Sequence, residues 1–136
     1  MKPTLKTGLD SNVNFSVDRE RTIDFMGEDA RVYATPMLVR DIEIACRELL
    51  LQHLDTGEDS VGTRVAIDHI GATLLGMEVS LTVRIASLEG RAVIFEIEGR
   101  DTVEPIVRGQ HARFIVDVAK TAQRLAAKAQ KAKAAR

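Results

Sequence analysis

One stretch of this chain is too apolar to lie on a protein surface, and the rest must be arranged to cover it. From Thr35 the residues TPMLVRDIEIACRELLLQHL follow a helical period. At about 100° per residue, Leu38, Val39, Ile42, Ala45, Cys46, Leu49, Leu50 and His53 share one broad arc. Thr35 stands directly before Pro36, which reads as an N-cap followed by proline at the first helical position. The helix is expected to stop near Asp55-Thr56-Gly57, with Gly57 suited to the C-cap. Glu43 falls on the rim of the apolar arc, between Leu50 and Leu54, whereas Arg40, Asp41, Arg47 and Glu48 fall opposite.

After the helix the period changes to two. In 61–69 the odd positions hold Val61, Thr63, Val65, Ile67 and His69, with Arg64 and Asp68 among the even ones. In 77–85 Met77, Val79, Leu81, Val83 and Ile85 alternate with polar residues, as expected of strands with one buried face. Glu89-Gly90 marks a hairpin turn into 91–99, and 106–118 reads as a last strand. Upstream, Val13–Val17 alternates like a short strand, and 18–34 reads as loop with about one helical turn.

The order is therefore a strand, one long apolar helix and four more strands. That pattern predicts an α+β hotdog fold, a curved antiparallel sheet wrapped around one long central helix. Residues 1–118 are assigned to this domain, with 1–34 as its N-terminal strand and loop region. Residues 119–136 are assigned to an Ala/Lys-rich helical tail. Open sheet edges in so small a domain point to a homodimer or higher homo-oligomer.

Composition removes several function classes. The net charge of −1 gives no global field for nucleic acid or an anionic membrane. The signs are uneven, however, because from Arg113 onward there are seven Lys or Arg against one acid, Asp117. A single cysteine, Cys46, excludes an intramolecular disulfide and a CxxC metal or redox site. No apolar run approaches the ~18 residues needed to span a bilayer, and the start lacks an apolar signal core, so a cytoplasmic location is expected. The nucleotide-binding GxGxxG and P-loop patterns, HExxH and GxSxG are all missing. Neither a metal nor a cofactor is expected.

What remains is a set of polar residues at the ends of apolar elements. Thr35 reads as a helix cap, yet a hydroxyl beside free backbone N–H groups and a positive dipole end can also polarise a carbonyl. Glu43 reads either as a solvated helix glutamate or as a half-buried acid or base. His69, at the end of an apolar strand face, reads as a structural histidine or as a proton shuttle near neutrality. His53 reads as structural, His111 is uninformative by itself, and Cys46 reads as inert packing. Gly62 inside a strand suggests close approach of another backbone or a ligand. The basic tail reads as a solvated helix, with phosphate binding as the alternative.

The spacing of these residues resembles the fluoroacetyl-CoA thioesterase family and its hotdog relatives from Ala34 to about Val118. Ala34-Thr35-Pro36, with Glu43-Ile44-Ala45-Cys46 beginning eight positions after the threonine, is similar to that family's helix. The segment GEDSVGTRVAIDHIGATLLGMEV and the strand GQHARFIV resemble its later motifs. The resemblance implies a Thr–Glu–His site made of Thr35, Glu43 and His69, lying between two subunits. It also implies ligand contacts from Gly62 and Arg113, with coenzyme A present only as part of the substrate. Pro36 stands where the fluoroacetyl enzyme has a glycine. That enzyme's phenylalanine gate has no match among Phe25, Met26 and Tyr33, so the resemblance does not extend to fluorinated acyl groups.

The expected activity is hydrolysis of a short or hydrophobic acyl-CoA to free acid and CoA. The alternatives are a non-hydrolytic acyl-CoA-binding module and a hotdog enoyl-CoA hydratase or dehydratase. The last needs an Asp–His pair, and Asp68, adjacent to His69 in a strand, points to the opposite face.

Overall fold

The computed structural model describes residues 1–135. Its elements run β1 (Asp10–Ser16), α1 (Thr35–Leu51), β2 (Glu58–His69), β3 (Glu78–Glu89), β4 (Ala92–Asp101), β5 (Pro105–Asp117) and α2 (Val118–Ala134). Between β1 and α1 the loop contains two short 3-10 turns, Arg19–Arg21 and Glu28–Ala30, where the sequence suggested one. The five strands form one antiparallel sheet in the order β1-β3-β4-β5-β2. β2 and β3 are thus consecutive in the chain but not neighbours, and β1 and β2 form the two edges.

The hotdog arrangement follows from two periodicities meeting. β3 turns Val79, Leu81, Val83 and Ile85 inward, and β4 turns Val93, Phe95 and Ile97 the same way. The apolar arc of α1 lies in this concave face, where Leu38, Ile42, Cys46 and Leu50 are fully buried. Each fully buried aliphatic side chain of this kind contributes about 1.5–3 kcal/mol, so the sheet and helix stabilise each other rather than standing alone.

Three local expectations are corrected. The N-cap of α1 is Ala34, and Thr35 is the first helical residue with its hydroxyl free of capping duty. The helix ends at Leu51; Gly57, at φ +87°, serves the later turn into β2 instead of the helix cap. Asp41, expected on the solvent side of α1, is only 7% exposed because the 18–34 loop folds over it. There the Arg21 guanidinium meets its carboxylate through both oxygens, at 2.8 and 2.9 Å.

β2 also departs from simple alternation. Its register with β5 shifts between Gly62 and Arg64, which makes Thr63 the extra residue of a β-bulge. Before the bulge, Ser60 and Gly62 share the inner face with their partners Ile115 and Arg113. After it, Val65, Ile67 and His69 do so, opposite His111, Gly109 and Val107. Val61 is therefore on the outer face beside Phe114, not with Val65 as alternation alone predicts. At the C-terminal end, the Asp117 side chain accepts from the Lys120 N–H at 3.0 Å and starts α2, in which no described residue is buried. Among the described residues no helix is long and apolar enough to cross a membrane.

Candidate functional site

The N-terminus of α1 and the C-terminal end of β2 meet. Thr35 Oγ1 lies 2.8 Å from His69 Nδ1, and both border a mainly apolar cleft of about 520 Å³ together with Phe25, Tyr33, Pro36 and Ile70. The backbone offers less here than a bare helix end does. Pro36 has no N–H, and the N–H groups of Met37 and Leu38 both donate to the Ala34 carbonyl at 3.0 Å. The expected cradle of free amides is thus largely used up, and the exposed polar group at this end is the Thr35 hydroxyl itself.

Burial pushes the His69 imidazole below its ordinary value, with the Gly71 backbone pulling in the opposite direction. The ring is therefore neutral at neutral pH and able to accept a proton. Its Nε2 is buried without a hydrogen-bond partner among the described residues. Tyr33 packs edge-to-face against it at 6.2 Å between ring centroids, which limits how the ring can turn. Tyr33 is in turn held by its hydroxyl, which donates to Asp41. The Arg21–Asp41–Tyr33 chain thus braces the wall of the cleft from behind.

A second cluster lies at the other end of β2. Arg113 is 5% exposed; its Nε donates to Ser60 Oγ at 2.7 Å and its Nη2 to the Ser60 carbonyl at 2.8 Å. Its Nη1 lies 3.1 Å from His111 Nε2 and 4.0 Å from Glu43 Oε2. Burial draws the Arg113 guanidinium downward from its ordinary value, and Cys46 and Glu43 oppose that. Gly62 leaves a gap at the centre of this group. A Cβ there would lie 3.2 Å from His111 Cε1, 3.4 Å from Glu43 Oε2 and 3.6 Å from Arg113 Nη1.

The five residues singled out in the sequence therefore fall into two groups, Thr35 with His69 and Glu43 with Gly62 and Arg113. Thr35 and Glu43 are eight residues apart on one straight element, which places them about 12 Å apart along the helix axis. Ser60 and His111 join the second group without having been singled out. The spacing of His111 and Arg113, two apart on a strand, was the available signal, since it puts both on one face. His53 hydrogen-bonds Thr4 at 2.8 Å, away from both groups. Burial pushes the Cys46 thiol up to about 12, so it is not a nucleophile. Asp68 points away from His69, its carboxylate 73% exposed and 3.9 Å from Arg108.

Comparison with known proteins places the chain in a family. The model of a family described as fluoroacetyl-CoA-specific thioesterase matches residues 17–119, which include both groups and stop where α2 begins. The fluoroacetyl-CoA thioesterase of Streptantibioticus cattleyicolor is 29% identical over 127 residues, 88% of this chain and 91% of that protein. A solved structure of a fluoroacetyl-CoA thioesterase superposes with a TM-score of 0.83 at 27% identity, covering 91% of this chain and 97% of the other. A thioesterase-superfamily protein of Thermus thermophilus gives 0.87 at 26% identity, over 97% and 98% of the two chains. With residues 17–119 matched and the hotdog sheet in place, this chain belongs to the fluoroacetyl-CoA-specific thioesterase family and is an acyl-CoA thioester hydrolase.

Proposed function

We propose that the chain hydrolyses a short or hydrophobic acyl-CoA at a Thr35–Glu43–His69 site shared between two copies. The observation that carries this reading is the Thr35–His69 pair at the mouth of an apolar cleft, a hydroxyl within hydrogen-bond reach of a neutral imidazole. The Thr35 oxygen attacks the thioester carbonyl while His69 Nδ1 takes its proton. The C–S bond breaks, and the imidazolium returns the proton to the leaving CoA thiolate. Glu43 then activates a water in the gap left by Gly62, and this water cleaves the acyl–threonine ester to release the acid and restore the hydroxyl.

The sharing follows from symmetry. β2 is a sheet edge with unpaired backbone groups, and Val61, Val65 and Ile70 along it are 45%, 37% and 47% exposed. Gly62 and His69 stand near opposite ends of this strand. Two β2 edges paired antiparallel about a two-fold axis bring the Gly62 end of one copy to the His69 end of its partner. Each dimer then has two sites, each with Thr35 and His69 from one chain and Glu43 from the other.

A thiol-release screen across acyl-CoA chain lengths and polarities tests the reading. Thr35→Ala, His69→Ala and Glu43→Gln each lower the rate by about 100-fold or more, with thermal melting unchanged. Intact-mass measurement of Glu43→Gln mixed with substrate shows an acyl adduct. Full activity in all three variants removes the assignment.

A further inference from the structure

We infer that His111 is a positioning residue for the Glu43 carboxylate, acting through Arg113; this rests on the reading of Glu43 as a reacting group. His111 Nδ1 lies 2.8 Å from the Arg64 carbonyl, which can only accept, so Nδ1 carries the proton. Nε2 is then a lone pair, and it accepts from Arg113 Nη1 at 3.1 Å. The ring plane is fixed by stacking on Phe95, with centroids 6.4 Å apart and an angle of 24°.

This tautomer has a consequence for the guanidinium. Ser60 holds two of its nitrogens through a side-chain and a backbone oxygen, and His111 holds the third. The Nη1 edge that remains faces Glu43 Oε2 at 4.0 Å. The bulge at Thr63 makes the arrangement possible. It turns Gly62 inward beside Glu43 and presents the Arg64 carbonyl to His111 one step further along. The guanidinium is thus a fixed positive wall beside the gap where the Glu43 carboxylate works, and His111 sets its angle. Burial keeps His111 below its ordinary value and hence neutral, as an acceptor of the Arg113 N–H must be.

A double-mutant cycle in thiol release tests this. His111→Leu removes both polar ring positions and lowers kcat about 10- to 100-fold with KM changed less than about twofold. His111→Gln, which retains a donor and an acceptor, restores most of that loss. On a Glu43→Gln background, His111→Leu lowers the residual rate less than about twofold, because the group it positions is already gone. Ser60→Ala, a smaller change to the same guanidinium clamp, is carried through the same cycle in case His111→Leu melts early. Wild-type kcat in folded His111→Leu, or equal losses on both backgrounds, overturns the inference. Wild-type turnover in Glu43→Gln removes the underlying site reading instead.

Discussion

Thr35 Oγ1 lies 2.8 Å from His69 Nδ1, so the first residue of α1 and the last of β2 form a hydroxyl–imidazole pair inside one chain. Burial lowers the His69 pKa below its ordinary value of 6.5, which extends the neutral, proton-accepting form to lower pH. The acid limb of the profile of kcat/KM against pH is therefore expected to be centred below 6.5. An acid limb centred above that value contradicts the role given to His69.

The separation of Glu43 from this pair can be tested by complementation. Thr35→Ala and Glu43→Gln chains, each nearly inactive, are refolded or co-expressed together. Half of the dimers are then mixed, each with one intact site, and the mixture recovers about a quarter of wild-type activity. No recovery, in a preparation shown by mass spectrometry to contain mixed dimers, places all three residues in one subunit.

Gly62→Ala is expected to abolish most of the activity without unfolding the protein. The glycine is not in the left-handed region, so the backbone accepts alanine, but the new methyl stands 3.2 Å from His111 Cε1, which must give by a few tenths of an ångström, and 3.4 Å from Glu43 Oε2, and it fills the gap. Thiol release falls more than about tenfold while the melting temperature stays within about 2 °C of wild type.

Asp41→Ala acts on stability first. It leaves the Tyr33 hydroxyl and the Arg21 guanidinium without their shared acceptor, and the loss is about 3 kcal/mol in urea unfolding. Because Tyr33 packs against the His69 ring, thiol release in the folded fraction also declines. A change below about 0.5 kcal/mol shows that the 18–34 loop is held by other contacts.

Stability also depends on pH in a direction set by the histidines. His69 and His111 both have lowered pKa values when folded, so acid protonates the unfolded chain first. Their contribution is complete above 6.5 and is lost as pH falls through the folded values. Melting temperature is expected to drop as pH falls below 6.5, and less steeply in His111→Gln.

Local periodicity in the sequence was enough to determine the layers. Leu38, Ile42 and Leu50 at helical spacing, and Val79 to Ile85 and Val93 to Ile97 at alternate positions, each select the side they bury, and together they require a sheet around a helix. The candidate site residues Thr35, Glu43 and His69 stood out in the sequence as polar positions bordering those apolar faces. Their grouping did not, because it depends on which ends meet. The crossing of β2 to the far edge brings His69 to Thr35, and the bulge at Thr63 turns Gly62 to Arg113 and Glu43. Neither feature leaves a periodic trace, since register and bulges are decided by pairing between strands distant in the chain. Asp41 shows the same limit: its place on the polar side of α1 was correct, but only the folded 18–34 loop turns that side into an interior.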